Sequence, residues 1–390
     1  MSGLTVSQNQ LEHDFREVFR TPHPVAVFRA PGRVNLIGEH TDYNQGLVCP
    51  IALDLACYAA IAPATHGKLR VYSAELGETH EFEIRALASL SPRHDWTDYV
   101  VGVAQLLQRA GVEVTPVDLY IHSEVPRGSG LSSSAALEVA SALALLGNRG
   151  MDRLELAKLC QQAEAQFVGL PCGIMDQYAS LFGREGTAIL IDCRSYTHSE
   201  VRLPSNLRVI AVNSMVKHEL ASSAYGQRVA ECREAVAELE PFQPGATSLR
   251  DIPLTVFERF QDSMSPIPRK RARHIISENA RVLDFAAAAQ SGDLPEMGRL
   301  FIAAHRSLQY DFEISCEEID FLVDTAIKIK GVHGARMTGG GFGGCTVNLV
   351  DPSAVMEFER RITAAYSGRF RKTPLFYDCE PSAGAGRFTP

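Results

Sequence analysis

A glycine- and serine-rich segment, residues 126–137 with the sequence PRGSGLSSSAAL, most restricts how this chain can fold. It follows a strand-like run at 117–121 and leads into a predicted helix over 133–146. Its two glycines and four serines put backbone N–H groups and hydroxyls at the N-terminus of that helix. Such an end has unpaired donors and a positive dipole, so the pattern favours phosphate binding over the alternative, a helix with a generous serine cap.

The common nucleotide-binding signatures are missing from the sequence. There is no G-x-x-x-x-G-K-[ST] loop, and neither H-R-D nor D-F-G occurs. The run Gly339–Gly344 formally satisfies G-x-G-x-x-G, but a strand, Cys345–Val350, is predicted after it where a dinucleotide fold needs a helix. We therefore interpret this run as a place where the backbone approaches something bulky.

A polar cluster lies in residues 29–43, RAPGRVNLIGEHTDY, between glycines and apolar residues. A neutral polyol is bound by donors and acceptors aimed at its hydroxyls, and carboxylates with an imidazole supply them. The apolar flanks place the cluster at the edge of a core, which favours a binding site over a surface turn. Its polar members are Arg33, Asn35, Glu39, His40 and Asp42.

Two carboxylates stand in unusual places. Glu164 falls on the apolar stripe of a predicted helix over 153–168, where a charge is costly unless it is paired or bound to a cation. Asp176 follows a Gly/Pro-rich elbow and has apolar neighbours. It is equally well explained as a site residue or as a first-turn Asp that the helix dipole favours.

Composition narrows the class of protein. A length of 390 residues allows two or three packed cores, and the net charge of −8 argues against nucleic-acid binding. The one basic run, 269–273, is interpreted as the solvated face of a helix. No apolar run could cross a bilayer, no export signal is visible, and nine isolated cysteines indicate buried thiols. We expect a cytoplasmic protein with no membrane partner.

The alternation of strand-like and helix-like segments predicts an α+β fold in two lobes. The pattern restarts near residue 200. We place the N-terminal lobe, with the polar cluster and the phosphate loop, at residues 1–203. The C-terminal lobe, with the glycine run, takes residues 204–390.

These segments together resemble the GHMP kinase superfamily, and within it the galactokinase family. The resemblance rests on GRVNLIGEHTDYNQG, GSGLSSSAA, QQAEAQFVG, CGIMDQ, GGGFGGC and the terminal PSAGAG, which span nearly the whole chain. It implies a ribosomal S5 domain 2-like N-terminal lobe and a ferredoxin-like C-terminal lobe with the site between them. The implied reaction transfers the γ-phosphate of ATP to the C1 hydroxyl of galactose, in a monomer that uses Mg²⁺.

The resemblance also implies roles for individual residues. Asp176 would be the base at the C1 hydroxyl, and Arg33 beside it would stabilise the transferring phosphoryl group. Ser134 and Glu164 would hold Mg²⁺ next to the phosphates. The sugar hydroxyls would be bound by Glu39, His40, Asp42, Gly173 and Tyr225. The nucleotide would be bound by Gly128, Ser129, Gly130, Leu131, Ser132, Ser133 and Ser134, with Trp96 against the adenine or, alternatively, as a core anchor.

Two other functions remain open at this point. An N-acetylgalactosamine kinase is disfavoured by Thr41, since the galactokinase form of that motif carries Thr. A non-catalytic galactose sensor is disfavoured because Ala135 and Ala136, which such relatives lack, are present. One departure from the family is Ser129 where Ala is usual, and a serine is small enough that we expect no loss of function.

Overall fold

The computed structural model describes residues 6–217 and 221–389. Its α-helices are α1 (Gln8–Phe19), α2 (Thr97–Arg109), α3 (Ser133–Leu146), α4 (Arg153–Gln162), α5 (Met175–Phe182), α6 (Ala221–Leu239), α7 (Leu254–Phe260), α8 (Pro266–Ser291), α9 (Leu294–Ser307), α10 (Glu317–Ala326) and α11 (Val355–Phe370). Its strands are β1 (Ala26–Asn35), β2 (Leu47–Val48), β3 (Pro50–Pro63), β4 (Lys68–Ser73), β5 (Glu78–Glu83), β6 (Val117–Ser123), β7 (Thr187–Asp192), β8 (Thr197–Arg202), β9 (Arg208–Lys217), β10 (Val332–Thr338), β11 (Gly343–Val350), β12 (Leu375–Asp378) and β13 (Gly386–Arg387). The helix predicted over 133–146 is confirmed as α3.

The first lobe is built on a six-stranded sheet in the order β13–β1–β3–β6–β4–β5. Its neighbouring strands are antiparallel except for β4 and β6, which are parallel. Helices α3 and α5 both pack against β1 and β3. This packing brings the helix after the Gly/Ser loop next to the strand that carries Arg33 and Asn35 of the polar cluster.

The second lobe contains an antiparallel sheet in the order β10–β11–β9–β12. Its chain order, β9–α10–β10–β11–α11–β12, is the β-α-β-β-α-β arrangement of ferredoxin-like folds, with helices α6–α9 inserted after β9. A small third sheet has the order β2–β7–β8. The two-lobed α+β prediction is confirmed.

The end of the chain returns to the first lobe. Strand β13 pairs antiparallel with β1, where Phe28 lies opposite Arg387. Strands β8 and β9, which flank the predicted division at 203/204, lie in different sheets. The division at 203/204 stays a prediction. Because β13, near the end of the chain, pairs with β1 of the first lobe, no single point in the sequence separates the two sheets.

The exposure of the residues agrees with the predictions made from composition, except at one basic residue. All nine cysteines are free thiols, and seven of them are buried. No helix in the described ranges is long and apolar enough to span a membrane. The solvated-face interpretation of residues 269–273 is wrong for Arg271, which is 2% exposed. Arg271 is buried because its guanidinium pairs with Glu231 at 2.6 Å.

Candidate active site

Two adjoining cavities lie at the N-terminus of α3. The first has a volume of about 660 Å³ and the second about 360 Å³. The second is lined by residues of the first lobe and by the glycine run of the second lobe, so it lies between the lobes. The residues that line both cavities are Tyr99, Gly128, Ser133, Ser134 and Leu170. A ligand in one cavity can therefore meet a ligand in the other at the start of α3.

The loop before α3 contains three residues with positive φ, a conformation that favours glycine. Gly128 and Gly130 have φ of 71° and 81°, and Ser132 has φ of 60°, a left-handed conformation that is costly for a residue with a side chain. The side chains of Ser129 and Leu131 do not line either cavity, because the Ser129 hydroxyl donates to the Pro126 carbonyl at 2.8 Å and Leu131 is buried in the core. The predicted nucleotide contacts of Ser129 and Leu131 stay predictions, and in this arrangement they would be made by backbone groups.

Asp176 lies at the second cavity and is held from two sides. Arg33 reaches its Oδ1 with Nε at 2.9 Å and Nη2 at 2.7 Å. The hydroxyl of Ser132 donates to its Oδ2 at 2.5 Å. The remaining nitrogen of Arg33, Nη1, donates to the Gly130 carbonyl at 2.6 Å. Asp176, the arginine and the Gly/Ser loop thus form one connected group.

Glu164 is buried in the wall of the second cavity, as its place on an apolar stripe predicts. It lies in a π-helical turn, Ala163–Val168, that follows α4; such turns often occur at functional sites. The pKa of Glu164 is raised above its ordinary value, chiefly by burial and also by the charge of Asp176. The opposing effect of its hydrogen-bond donors, among them Cys172 and Gln177, is smaller. A buried carboxylate beside a serine hydroxyl has the hard oxygen donors that Mg²⁺ prefers.

Those two residues fit a magnesium ion that also binds phosphate oxygens. No group of three or more His, Cys, Asp or Glu side chains in the described part of the chain could hold a metal ion. Mg²⁺ does not require one, since it is usually bound through one or two carboxylates together with substrate phosphates and water. The donor set at Glu164 and Ser134 is of that kind.

Asp42 and Gly173 lie against each other in the wall of the second cavity. A Cβ on Gly173 would lie 2.0 Å from Oδ2 of Asp42, so a side chain there would displace the carboxylate. Burial, together with the charge of Asp176, raises the pKa of Asp42 to about 6. Such a carboxyl gains from hydroxyl donors that replace the lost water.

His40 offers a free nitrogen to the same cavity. It has φ of 63°, and its Nδ1 lies 2.8 Å from the Tyr43 hydroxyl, while its Nε2 has no hydrogen-bond partner among the described residues. Burial lowers the pKa of His40 to about 3, so the ring is neutral. The ring of Tyr225 lies 4.9 Å from that of His40 and lines the cavity with it.

Glu39 also lines the second cavity, but its carboxylate is already engaged. Its Oε2 pairs with Arg336, and its Oε1 accepts hydrogen bonds from Thr338 at 3.1 Å and from the Gly339 amide at 3.3 Å. Both Glu39 and Arg336 are almost fully buried. Because Arg336 belongs to β10, this pair ties the polar cluster of the first lobe to the second lobe.

Three family profiles match the sequence and together cover more than half of the chain. The galactokinase galactose-binding signature matches residues 13–63, the GHMP kinases N-terminal domain 98–184 and the GHMP kinases C-terminal domain 285–368. The chain is 45% identical to a galactokinase of Roseiflexus sp. over 94% of its own length and 93% of that protein. It is 44% identical to the Homo sapiens galactokinase over 95% and 94%. The chain belongs to the galactokinase family.

Solved structures agree with the family assignment. The crystal structure of Lactococcus lactis galactokinase complexed with galactose matches with a TM-score of 0.93 at 34% identity, covering 97% of this chain and 99% of that one. The Methanococcus jannaschii mevalonate kinase structure, at 18% identity and a TM-score of 0.67, shares the fold. The GHMP kinase fold expected from the motifs is thereby confirmed for this galactokinase-family chain.

Trp96 lines the first cavity at the residue that precedes α2. It is half-buried, its Nε1 donates to Glu78 at 2.9 Å, and its ring also packs against the main core. Both alternatives for Trp96, a nucleotide contact and a core anchor, are compatible with this place. Thr41, in contrast, lines neither cavity, because its hydroxyl donates to the carbonyls of Gly38 and Leu47.

Sequence reasoning missed a second buried carboxyl behind Glu164. Glu138, in α3, is fully buried, and burial raises its pKa well above the ordinary value. The amide nitrogen of Gln177 donates to both carboxyls, at 2.9 Å to Glu138 and 2.7 Å to Glu164. A charged residue on the core face of the highly apolar α3 was the only signal that could have revealed it.

Proposed function

We propose that this chain, as a galactokinase, binds ATP in the first cavity and galactose in the second, and transfers the γ-phosphate to the C1 hydroxyl of the sugar. The observation that carries the proposal is the position of Asp176 in the second cavity, held by Arg33 and by Ser132 of the Gly/Ser loop. The cavities share the start of α3, where the dipole and free N–H groups favour phosphate.

In this proposal Asp176 accepts the proton of the C1 hydroxyl as that oxygen attacks the γ-phosphorus of ATP, and the bond from the γ-phosphorus to the bridging oxygen breaks to release ADP. Arg33 offsets the negative charge on the transferring group, a contribution that costs no reorganisation because the guanidinium is already fixed by Gly130. Ser132 holds the second carboxylate oxygen. Phosphoryl transfer depends mostly on positioning and charge neutralisation, which are what these three side chains supply.

We further propose that Ser134 and Glu164 hold Mg²⁺ beside the phosphates of ATP. When bound, the ion would neutralise phosphate charge. The support is the burial of Glu164 and the place of both residues in the wall of the second cavity. A buried carboxylate in this position is costly in the empty protein and becomes favourable once a cation lies next to it.

We propose that the sugar hydroxyls meet Asp42, the free Nε2 of His40, and the backbone at Gly173, with Glu39 and Tyr225 completing the wall. A neutral imidazole with one unpaired nitrogen can accept or donate a hydrogen bond, depending on its tautomer. Since Thr41 lies outside the cavity, it gives no direct argument against N-acetylgalactosamine, and substrate choice has to be measured.

The test is ADP release over a panel of galactose, glucose and N-acetylgalactosamine at saturating MgATP, with the product phosphate located by ³¹P NMR. Trp96 is the one tryptophan in the sequence, so its fluorescence would also report nucleotide binding. We expect galactose to be phosphorylated at C1 and strongly preferred. Faster turnover of N-acetylgalactosamine, or sugar binding without ADP release, would replace the proposal with one of the two alternatives.

A further inference from the structure

The terminal PSAGAG motif has no role in the proposed reaction, and none of its residues lines either cavity. We call residues 381–387 the C-terminal strap. The strap crosses the carboxyl end of α5 and is fixed there by backbone hydrogen bonds of 2.8–2.9 Å to β3 and to the end of α5. These bonds run from the Ser382 amide to the Ala52 carbonyl, from the Gly384 amide to the Gly183 carbonyl, and from the Ala385 amide to the Ser180 carbonyl.

Gly384 makes the tightest contact of the strap with this helix. A Cβ at Gly384 would lie 2.2 Å from the carbonyl oxygen of Leu181 and 3.1 Å from the Gly183 amide nitrogen. Both are backbone atoms, which cannot rotate out of the way as the end of a side chain can. Any side chain at Gly384 therefore has to move either the strap or α5.

The opposite end of α5 carries the proposed base. The helix has only eight residues, about 12 Å, and Asp176 is the second of them. A hydrogen-bonded helix this short moves as a rigid body, so a displacement at Leu181 is passed on to Asp176. Misplacement of a reacting group by about 1 Å can cost on the order of 100-fold in rate.

Strand β1 contacts the start of α5 through one arginine and the C-terminal strap through another. Arg33 binds Asp176 at the start of the helix. Arg29, four residues earlier, donates from Nη1 to the Ala383 carbonyl at 3.2 Å and from Nη2 to the Ser382 hydroxyl at 3.3 Å. Side chains of one strand, β1, thus bind both the strap and the proposed base at the start of α5.

We propose that the C-terminal strap is a positioning element for Asp176: it sets the place of α5 along its axis, and Gly384 is the residue through which it does so. This inference rests on the proposed role of Asp176 as base. The strap touches neither cavity, so it should affect the rate of phosphoryl transfer and leave the binding of ATP unchanged.

The test compares Gly384→Ala with Gly386→Ala in the full-length protein. Gly386 lies two residues away in the same strap, and a Cβ there would meet nothing within 4 Å. We expect Gly384→Ala to lower kcat by about 10- to 100-fold. The KM for ATP and the ATP affinity from Trp96 fluorescence should stay within about twofold, and Gly386→Ala should match wild type throughout.

A double-mutant cycle separates positioning from general damage. If the strap acts through Asp176, adding Gly384→Ala to Asp176→Ala should cause little further loss of kcat. Equal losses in both backgrounds, or a matching rise in the KM for ATP, would overturn the inference. Should Gly384→Ala fail to fold, Ser382→Ala decides by the same cycle, since it removes one side-chain anchor and keeps the backbone bonds.

The cycle also distinguishes failure of this inference from failure of the proposed function. Wild-type turnover by Gly384→Ala, together with loss of turnover by Asp176→Ala, would overturn the strap inference alone. Wild-type turnover by Asp176→Ala would overturn the assignment of the base, and the strap inference with it.

Discussion

Arg33 and Asp176, separated by 143 residues in the sequence, form an ion pair in which Nη2 lies 2.7 Å and Nε 2.9 Å from the same carboxylate oxygen. The second oxygen of Asp176 accepts the Ser132 hydroxyl. Oδ2 keeps a lone pair for a substrate proton because it accepts only the Ser132 hydroxyl, whereas Oδ1 already accepts both arginine nitrogens, and the orientation of the carboxylate is fixed from both sides. This arrangement pre-organises Asp176 before any ligand binds.

The raised pKa of Asp42 predicts a pH-dependent effect on stability. Burial raises the pKa of Asp42 to about 6 in the folded protein, from an ordinary value of 3.8. The folded state therefore holds the proton more tightly, and stability is lost as the pH rises from about 4 through 6. Above that window the raised pKa of Asp42 lowers the free energy of unfolding by about 3 kcal/mol. Asp42→Asn should remove this loss of stability.

We therefore expect Asp42→Asn to stabilise the ligand-free protein, and the gain in unfolding free energy should grow by about 2 kcal/mol between pH 4.5 and pH 7.5. Urea denaturation at both pH values measures it. The control is Asp262→Asn, at a carboxylate that is 95% exposed. A gain of equal size at both pH values would show that the Asp42 proton is not responsible.

Removal of the Asp42 carboxylate should also weaken sugar discrimination. We expect Asp42→Ala to lower kcat/KM for galactose far more than it lowers ATP affinity, and to narrow the gap between galactose and glucose. A site built to bind a hydroxyl rejects the wrong sugar because its own group is left unpaired, and that source of rejection is gone in the variant. The specificity constants of both proteins for both sugars, at saturating MgATP, give the result. An unchanged preference would move the recognition site elsewhere.

The magnesium proposal predicts that two buried carboxyls, which both accept a hydrogen bond from Gln177, differ in their effect on the Mg²⁺ requirement when each is substituted. Glu164→Gln should raise the Mg²⁺ concentration needed for half-maximal activity and lower kcat. It should cost little stability, since it removes a buried charge from the empty protein. Glu138→Gln is the matched control, because Glu138 lines neither cavity. Mg²⁺ titrations and thermal unfolding of both variants provide the comparison. Overlapping titration curves for Glu164→Gln and wild type would return Glu164 to a structural role.

Local features of the site could be predicted from the sequence because their signals are local. Periodicity and composition predict three of these features: the start of α3 after a Gly/Ser loop, the burial of Glu164 on an apolar stripe, and the clustering of polar residues in 29–43. The contacts that give these residues their geometry could not be predicted in this way. The Glu39–Arg336 pair joins residues 297 apart, and the π-helical turn at Glu164 has no sequence signature.

The same limit explains the one sequence interpretation that was wrong, and a side-chain contact that was not predicted. Arg271 belongs to a run of basic residues that is typical of a solvated helix, yet its partner Glu231 comes from a different helix. The hydroxyl of Ser129, in the Gly/Ser loop, donates to the Pro126 carbonyl, a contact that the sequence does not reveal. In both cases a tertiary or loop hydrogen bond decides where the side chain points, and neither periodicity nor composition records it.

The most direct measurement is the turnover of Asp176→Ala with galactose at saturating MgATP, with Trp96 fluorescence as the check that ATP still binds. General-base catalysis typically contributes about 10²–10⁴ in rate, so we expect kcat to fall by that factor while ATP affinity is retained. A kcat within a few-fold of wild type in a variant that folds and binds ATP would contradict the assignment of Asp176 as the base.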